Sequence, residues 1–365
     1  MARGRSAVSG TARLASAATP VRRATHAPHL AALALLLAAV LVVVIGSGAI
    51  AIPPGRVLSA LAASTGLGVT ADPRDVAVIS VLRVPRTLMA ALVGAVLGLA
   101  GATIQGLFRN PLADPGLLGV SAGGAVGAVA IIVFGAALVP PSLRQHAVAT
   151  AAFLGALTVT VLVKRIATRE GRVLVATMLL AGIVFNALAS AATGALIFAA
   201  DDLQLRDIMF WTMGSCAGAD WTKLGIVSFA TAPLLLAMRL LVPGLNALIL
   251  GERQAHTLGI SIERLKRLAV VLVALAVGGA VAATGTIGFV GIVAPHLCRL
   301  ARGADHRWVM PASALTGAAL LAAADGAART ALAPAELPIG IVTALLGGPF
   351  FLWLLLRQRA RLDGP

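Results

Sequence analysis

Charge is scarce in this chain, and acid is scarcer still: 12% of its 365 residues are charged, with 14 Asp and Glu against 29 Lys and Arg. Set against 59% apolar residues and a mean hydropathy of +0.96, so little charge excludes an ordinary soluble domain and indicates a polytopic membrane protein. Cysteine is equally thin. Cys216 and Cys298 are too few and too far apart for a disulfide framework or a metal site, and read as small buried apolar residues. The run Gly-x-x-x-x-Gly-Lys-Ser/Thr is missing, so nothing cradles nucleotide phosphates and the chain does not hydrolyse ATP by itself. A nucleophile-and-base grouping and zinc-type spacing are missing too, which argues against an enzyme; no catalytic, cofactor-binding or metal-ligating residue is expected. The alternating ten-residue pattern of a barrel does not occur, which leaves the helical class.

Apolar runs near 30–52, 84–107, 116–138, 145–166, 173–199, 224–246, 266–287, 288–301, 308–331 and 338–357 predict an all-α protein with about ten membrane helices. The 288–301 run is short for a crossing, reaching only ~21 Å at ~1.5 Å per residue. The basic residues sit in short clusters between the runs, as in a positive-inside topology, so nucleic acid is not a partner. With the amino terminus inside, Lys164 and Arg165, then Arg253, Arg264, Lys266 and Arg267, then Arg299, Arg302 and Arg307, and finally Arg357 and Arg359 all fall inside. That pattern requires the short run to cross, and it puts both termini in the cytoplasm. Residues 1–27 hold five arginines and no acid. They read as a disordered basic tail against anionic lipid heads, followed by a transmembrane domain over 28–365. The first apolar run is too long for a signal-peptide core.

The stretch from Arg83 to Gly127 organises the rest. An apolar segment long enough to span leads into the polar bend Arg109–Gly116, whose two prolines cannot lie in lipid. Asn-Pro and Asp-Pro there are turn chemistry, and Asn110 and Leu112 stand at the bend. Gly94-x-x-x-Gly98 and Gly119-x-x-x-Gly123 suit close helix approach, in general packing or at a dimer seam. Arg83, Arg86 and Arg329 fall at outer ends, as interface anchors or as a cationic docking surface. Asp325 and Arg329 share a helix face and can pair. Gln105 and Asn186 are polar groups within spans that bond across helices or line a path. Leu250–Arg267 is the most polar inside loop, with Gly251, Glu252, Arg253, Ala255, Leu258 and Gly259 at its start. It is a connector or a docking element. Pro295 and His296 sit near a helix end, and a single histidine favours a structural or coupling role over a metal. No internal repeat is visible, which disfavours inverted-repeat carriers.

Arg83-x-Pro-Arg86, the Gly-rich span, and the run Gln105-Gly-Leu-x-Arg-Asn-Pro-Leu-Ala-Asp-Pro-Gly-Leu-Leu-Gly-Val-Ser121 together resemble the FecCD family. So do Gly251-Glu-x-x-Ala-x-x-Leu-Gly259, the Gly285–His296 run, and Ala335-Glu-Leu-Pro-x-Gly340. The likeness covers roughly residues 55–358. It implies a type II ABC importer permease in the bacterial inner membrane, taking in a metal chelate: a ferric siderophore first, with haem and cobalamin as alternatives. The implied partners are a cytoplasmic ATP-binding subunit, an extracytoplasmic substrate-binding protein, a second permease copy or paralogue, and the lipid bilayer. It assigns docking of the binding protein to Arg83, Arg86 and Arg329, and a cytoplasmic gate to Asn110 and Leu112. It also assigns ATPase coupling to Gly251–Gly259. Thr286 departs from the family's usual proline. The alternative is an ion- or proton-coupled secondary transporter, which would need unpaired carboxylates in mid-span.

Overall fold

The computed structural model describes residues 26–48, 50–66 and 69–362; the basic tail up to residue 25 lies outside them. The helices are α1 (Ala27–Gly46), α2 (Pro54–Ser64), α3 (Pro73–Ala77), α4 (Val84–Phe108), α5 (Val120–Leu138), α6 (Arg144–Ala167) and α7 (Val175–Phe198). They continue with α8 (Asp202–Met213), α9 (Trp221–Ile249), α10 (Glu252–Thr257), α11 (Ile262–Thr284), α12 (Val290–Arg302), α13 (His306–Thr330) and α14 (Ile339–Leu362). Each of the expected spans is a helix of its own. Seven of these segments are long and apolar enough to cross a membrane, and the apolar stretches Val120–Gly135 and Ile339–Leu354 are shorter. α12 has 13 residues.

α4 is the axis of the molecule. Almost every residue from Pro85 to Phe108 is buried, between α13, α12, α9 and α11. Its small residues allow this. A Cβ on Gly94 would strike the Gly317 carbonyl, one on Gly98 the Ser313 carbonyl, and one on Gly101 the Gly291 carbonyl. The Gly94–Gly98 pair therefore serves packing against α13 inside one chain. Around this core α1, α6, α7 and α9 leave most of their apolar windows uncovered, as helices bathed in lipid do.

Several differences from the sequence reading have local causes. The first span ends at Gly46 rather than near 52, where Ser47 closes it through Val43 and Val44. The segment ahead of α4 is helical: Asp72 caps α3 by accepting from the Arg74 amide, and a π-helical turn over Val78–Arg83 joins it to α4. The wider turn leaves a carbonyl, on Ser80, to accept from the Trp221 indole at 2.9 Å. α8 begins with a reciprocal capping box between Asp201 and Gln204. Between α11 and α12 the backbone is irregular, with Gly285 at φ 71 and Phe289 at φ 69. Its polar groups find partners in protein, as they must: Ser215 donates to Thr284 O at 2.7 Å, and the hydroxyl of Thr286 donates to Thr212 O.

Candidate functional site

Three places on the fold collect the residues singled out in the sequence: the arginine end, the hairpin end, and the short helix α10.

At the arginine end, Asp72, Asp75 and the C-termini of α1 and α13 surround a cleft of about 580 Å³. Arg56, Arg74, Arg83, Arg86, Arg329 and Glu336 line it. Arg56, Arg83, Arg86 and Arg329 are engaged within the chain. Arg83 donates to Ile45 O at 3.0 Å and Gly46 O at 2.9 Å, at the end of α1 where carbonyls lack a helical partner, and to Ile50 O just beyond it at 2.6 Å. Arg86 lies between two carboxylates. Its Nε and Nη2 meet Asp325 Oδ1 at 3.1 and 3.0 Å, and its Nη1 meets both oxygens of Glu336 at 2.9 Å. Arg329 reaches the other Asp325 oxygen at 3.0 Å, so the expected Asp325–Arg329 pair forms as one edge of a four-membered network. Asp325 is fully buried and Arg86 and Arg329 nearly so, whereas the Glu336 side chain is 44% exposed. Two cations and two anions cancel, which is how such a cluster survives burial. Arg56 forms a second, more exposed pair with Asp75 at 2.7 Å.

At the opposite end, α4 stops where Arg109 turns left-handed at φ 52 and Asn110 donates back to Gln105 O at 3.2 Å. Asn110 Oδ1 accepts from the Leu112 amide at 2.9 Å, and Asp114 Oδ1 accepts from the Gly116 amide at 2.7 Å. Two side chains thus build the bend from inside. Burial raises the Asp114 carboxyl above its ordinary pKa, against the opposing pull of the Gly116 amide. Asn186 on α7 donates to Gly116 O at 3.3 Å, holding the bend to a peripheral helix; Leu112 is half-buried. Gln105 bonds across helices. Its amide donates to Gly291 O at 3.3 Å and its oxygen accepts from Arg299. Pro295 lies inside α12. His296 is buried against Phe350, ring centroids 5.9 Å apart. Neither of its ring nitrogens has a hydrogen-bond partner among the described residues. Among those residues no three His, Cys, Asp or Glu come together as a metal site would require.

α10 is a single exposed helix closed at both ends by glycine. Gly251 at φ 108 and Gly259 at φ 79 adopt backbone that other residues resist. At the C-terminal end, Ile260 donates to Ala255 O at 3.1 Å and Gly259 to His256 O at 2.9 Å, a Schellman closure. Ala255 is fully buried while Leu258 is 62% exposed, and Glu252, Arg253, Gln254 and His256 face outward. Lys266 holds the helix down. Buried on α11, its Nζ meets Glu252 at 2.9 Å, Glu263 at 3.7 Å and Val173 O at 3.1 Å. Glu263 in turn accepts from the Val173 amide at 2.7 Å. α10, α11 and the hairpin of β1 (Thr168–Arg169) and β2 (Arg172–Val173) are therefore tied at one ammonium.

Lys266, Glu336 and the Arg299–Gln105 contact were not assigned site roles from the sequence. A signal existed for the first: a lysine at the start of an apolar helix, three residues after Glu263, is spaced for a helical ion pair.

The model of the FecCD transport family matches residues 35–357. The hemin transport system permease protein of Yersinia pestis is 47% identical over 283 residues, covering 78% of this chain and 84% of that protein. The vitamin B12 import system permease protein of Klebsiella pneumoniae is 41% identical over 329 residues, covering 90% of this chain and 93% of its own. Among solved structures, a metal-chelate type ABC transporter in an inward-facing conformation superposes with a TM-score of 0.77 at 33% identity, over 91% of this chain and 99% of that one. A family match over most of the chain, close relatives along nearly their whole length, and the same helical architecture agree: this chain belongs to the FecCD transport family and is a multi-pass membrane permease.

Proposed function

We propose that the chain is the pore-forming subunit of an ATP-driven importer for a bulky metal chelate, powered by a separate ATPase and supplied by a separate binding protein. The observation that carries this reading is α10: an exposed helix with an apolar tip at Leu258, anchored from behind by Lys266 to α11 and β2. Such an element can pass a partner's movement into the spans, where a merely tethering loop could not. The positive-inside distribution supports a cytoplasmic position for α10, the bend Arg109–Gly116 and both termini. ATP binding on the motor then shifts the permease between inward- and outward-open states by its different contacts with α10 in each. Asn110 and Leu112 stand at the inner mouth as gate residues. The secondary-carrier alternative loses ground because Asp325, buried near the outer end of α13, is neutralised by two arginines.

On the outer side, the cleft with Arg83, Arg86 and Arg329 is the docking surface for the binding protein. Arg86 and Arg329 are buried in pairs, so a partner carboxylate reaches Arg86 by taking the place of half-exposed Glu336. Arg74 is exposed on the same rim and lies outside the network. Arg74→Glu should weaken docking of the importer's own binding protein about tenfold and reduce its salt dependence, as loss of a rim charge does. Equal affinity for wild type and variant would remove this cleft as the docking surface.

Coupling has a comparably direct check. Leu258→Asp puts a charge on the α10 tip without touching Lys266, so the protein should insert and fold normally. ATP-dependent uptake should fall by about tenfold or more, the effect of losing one apolar interface anchor. Normal uptake would make α10 a connector only.

The relatives named above carry hemin and vitamin B12, which favours a macrocyclic metal chelate over the ferric siderophore expected first. Uptake of labelled haem, cobalamin and ferric siderophore into a deletion strain carrying this chain tests the choice. Transport of a macrocycle supports it, and transport of the siderophore alone overturns it. A second copy of the chain or a paralogue completes the pore.

A further inference from the structure

A groove of about 830 Å³ opens between α1, α12 and the start of α13, lined by no residue of the arginine cleft, the bend or α10. Its walls are graded. His29, Leu33 and Leu36 follow one face of α1, and Leu297 and Ala301 follow one face of α12. From His29 to Leu36 the helix rises ~10 Å, so the groove runs from a basic mouth into an apolar interior. Leu36 is 54% exposed and Leu297 37%, and the bulk of α1 faces outward in the same way.

The mouth is built around a cation. Arg302 lies over the Trp308 ring, 5.8 Å from its centroid, and its guanidinium touches the His29 ring. Among the described residues no carboxylate pairs with it. The nearest acid in sequence, Asp305, is already spent. Asp305 caps α13 through the Arg307 amide at 2.9 Å, accepts from Asn246 at 2.7 Å and faces His26 at 3.9 Å. Trp308 is fixed in turn by donating to Cys298 O at 2.8 Å. A preorganised arginine beside a histidine, unpaired and at the water end of a lipid-facing apolar groove, is complementary to one class of molecule: an amphiphile with an anionic head. Basic pockets between membrane helices recognise such head groups.

We propose that this groove binds one anionic phospholipid per chain, its phosphate on Arg302 and His29 and an acyl chain along Leu33, Leu36 and Leu297. Bound there, the lipid pins α1 to α12 at the end where those helices touch α13, so it also acts as a structural ligand. This site does not depend on the proposed transport function, and either can fail without the other.

The test is native mass spectrometry of the purified full-length protein, titrated with phosphatidylglycerol and separately with phosphatidylcholine. The wild type should retain one phosphatidylglycerol per chain, saturably and at least about tenfold more tightly than phosphatidylcholine. Arg302→Ala should reduce that preference to near unity. Arg169→Ala, which removes an exposed arginine elsewhere, should leave it intact. Leu36→Trp, which fills the groove, should weaken retention with the arginine still present, and inorganic phosphate should not compete. Equal retention of the two lipids, an Arg302→Ala protein that matches Arg169→Ala, or full competition by inorganic phosphate would each overturn the proposal. So would a second copy of the chain seated in the groove to the exclusion of lipid.

Discussion

Asp325→Ala should be among the most damaging single substitutions in this protein, at about 3–5 kcal/mol, because it removes one partner of a buried ionic cluster and leaves charge behind. Asp325 is fully buried and accepts from both Arg86 and Arg329. Without its carboxylate Arg329 keeps only distant, uncharged oxygens: Val44 O at 3.3 Å, Thr87 Oγ1 at 3.4 Å and the backbone carbonyl of residue 325 at 3.4 Å. Arg86 keeps Glu336. The two guanidiniums then face each other across the space the carboxylate filled. The melting temperature in detergent should drop on the order of 10 °C. The double variant Asp325→Leu, Arg329→Leu should be less damaged than Asp325→Ala alone, since it removes the unpaired cation together with its anion. A single variant that melts with the wild type would show that the cluster does not hold α4 to α13.

Gly101→Val should be comparably severe for a steric reason. At Gly101 the helices α4 and α12 touch backbone to backbone, so an added Cβ meets the carbonyl of Gly291 rather than a side chain that could move. Relief requires α12 to move away from α4, and that movement breaks the Gln105 bonds to Gly291 O and Arg299. The loss should reach or exceed the ~3 kcal/mol at the top of ordinary overpacking. Gly225→Ala is the control. It lies within α9 with open space around a Cβ, and should be neutral or gain up to ~1 kcal/mol from helix propensity. Thermal unfolding of the two proteins in one detergent reads the difference. Equal melting temperatures would mean that the α4–α12 contact is looser than the backbone geometry describes.

The sequence reading succeeded where one apolar run makes one helix. It succeeded again where a motif forms a self-contained turn, as at Asn110 and Asp114, whose side chains cap amides two residues ahead. It missed α8 because that helix has only 12 residues, too short to read as a span. The outer arginines were located but their surroundings were not. Arg86 meets Glu336 across 250 positions of chain, and no local spacing reports such a pairing. Lys266 was counted as a topological charge, although burial and three oxygen partners make it the anchor of α10. Local rules found elements and turns, while long-range polar partnerships appeared only when the helices were packed.

The most direct test of the whole account is transport by purified components in liposomes. With the ATPase subunit, the binding protein and ATP all present, labelled haem or cobalamin should accumulate, and vanadate should abolish the accumulation. Accumulation driven by an imposed ion or proton gradient, with this chain alone in the membrane, would contradict it.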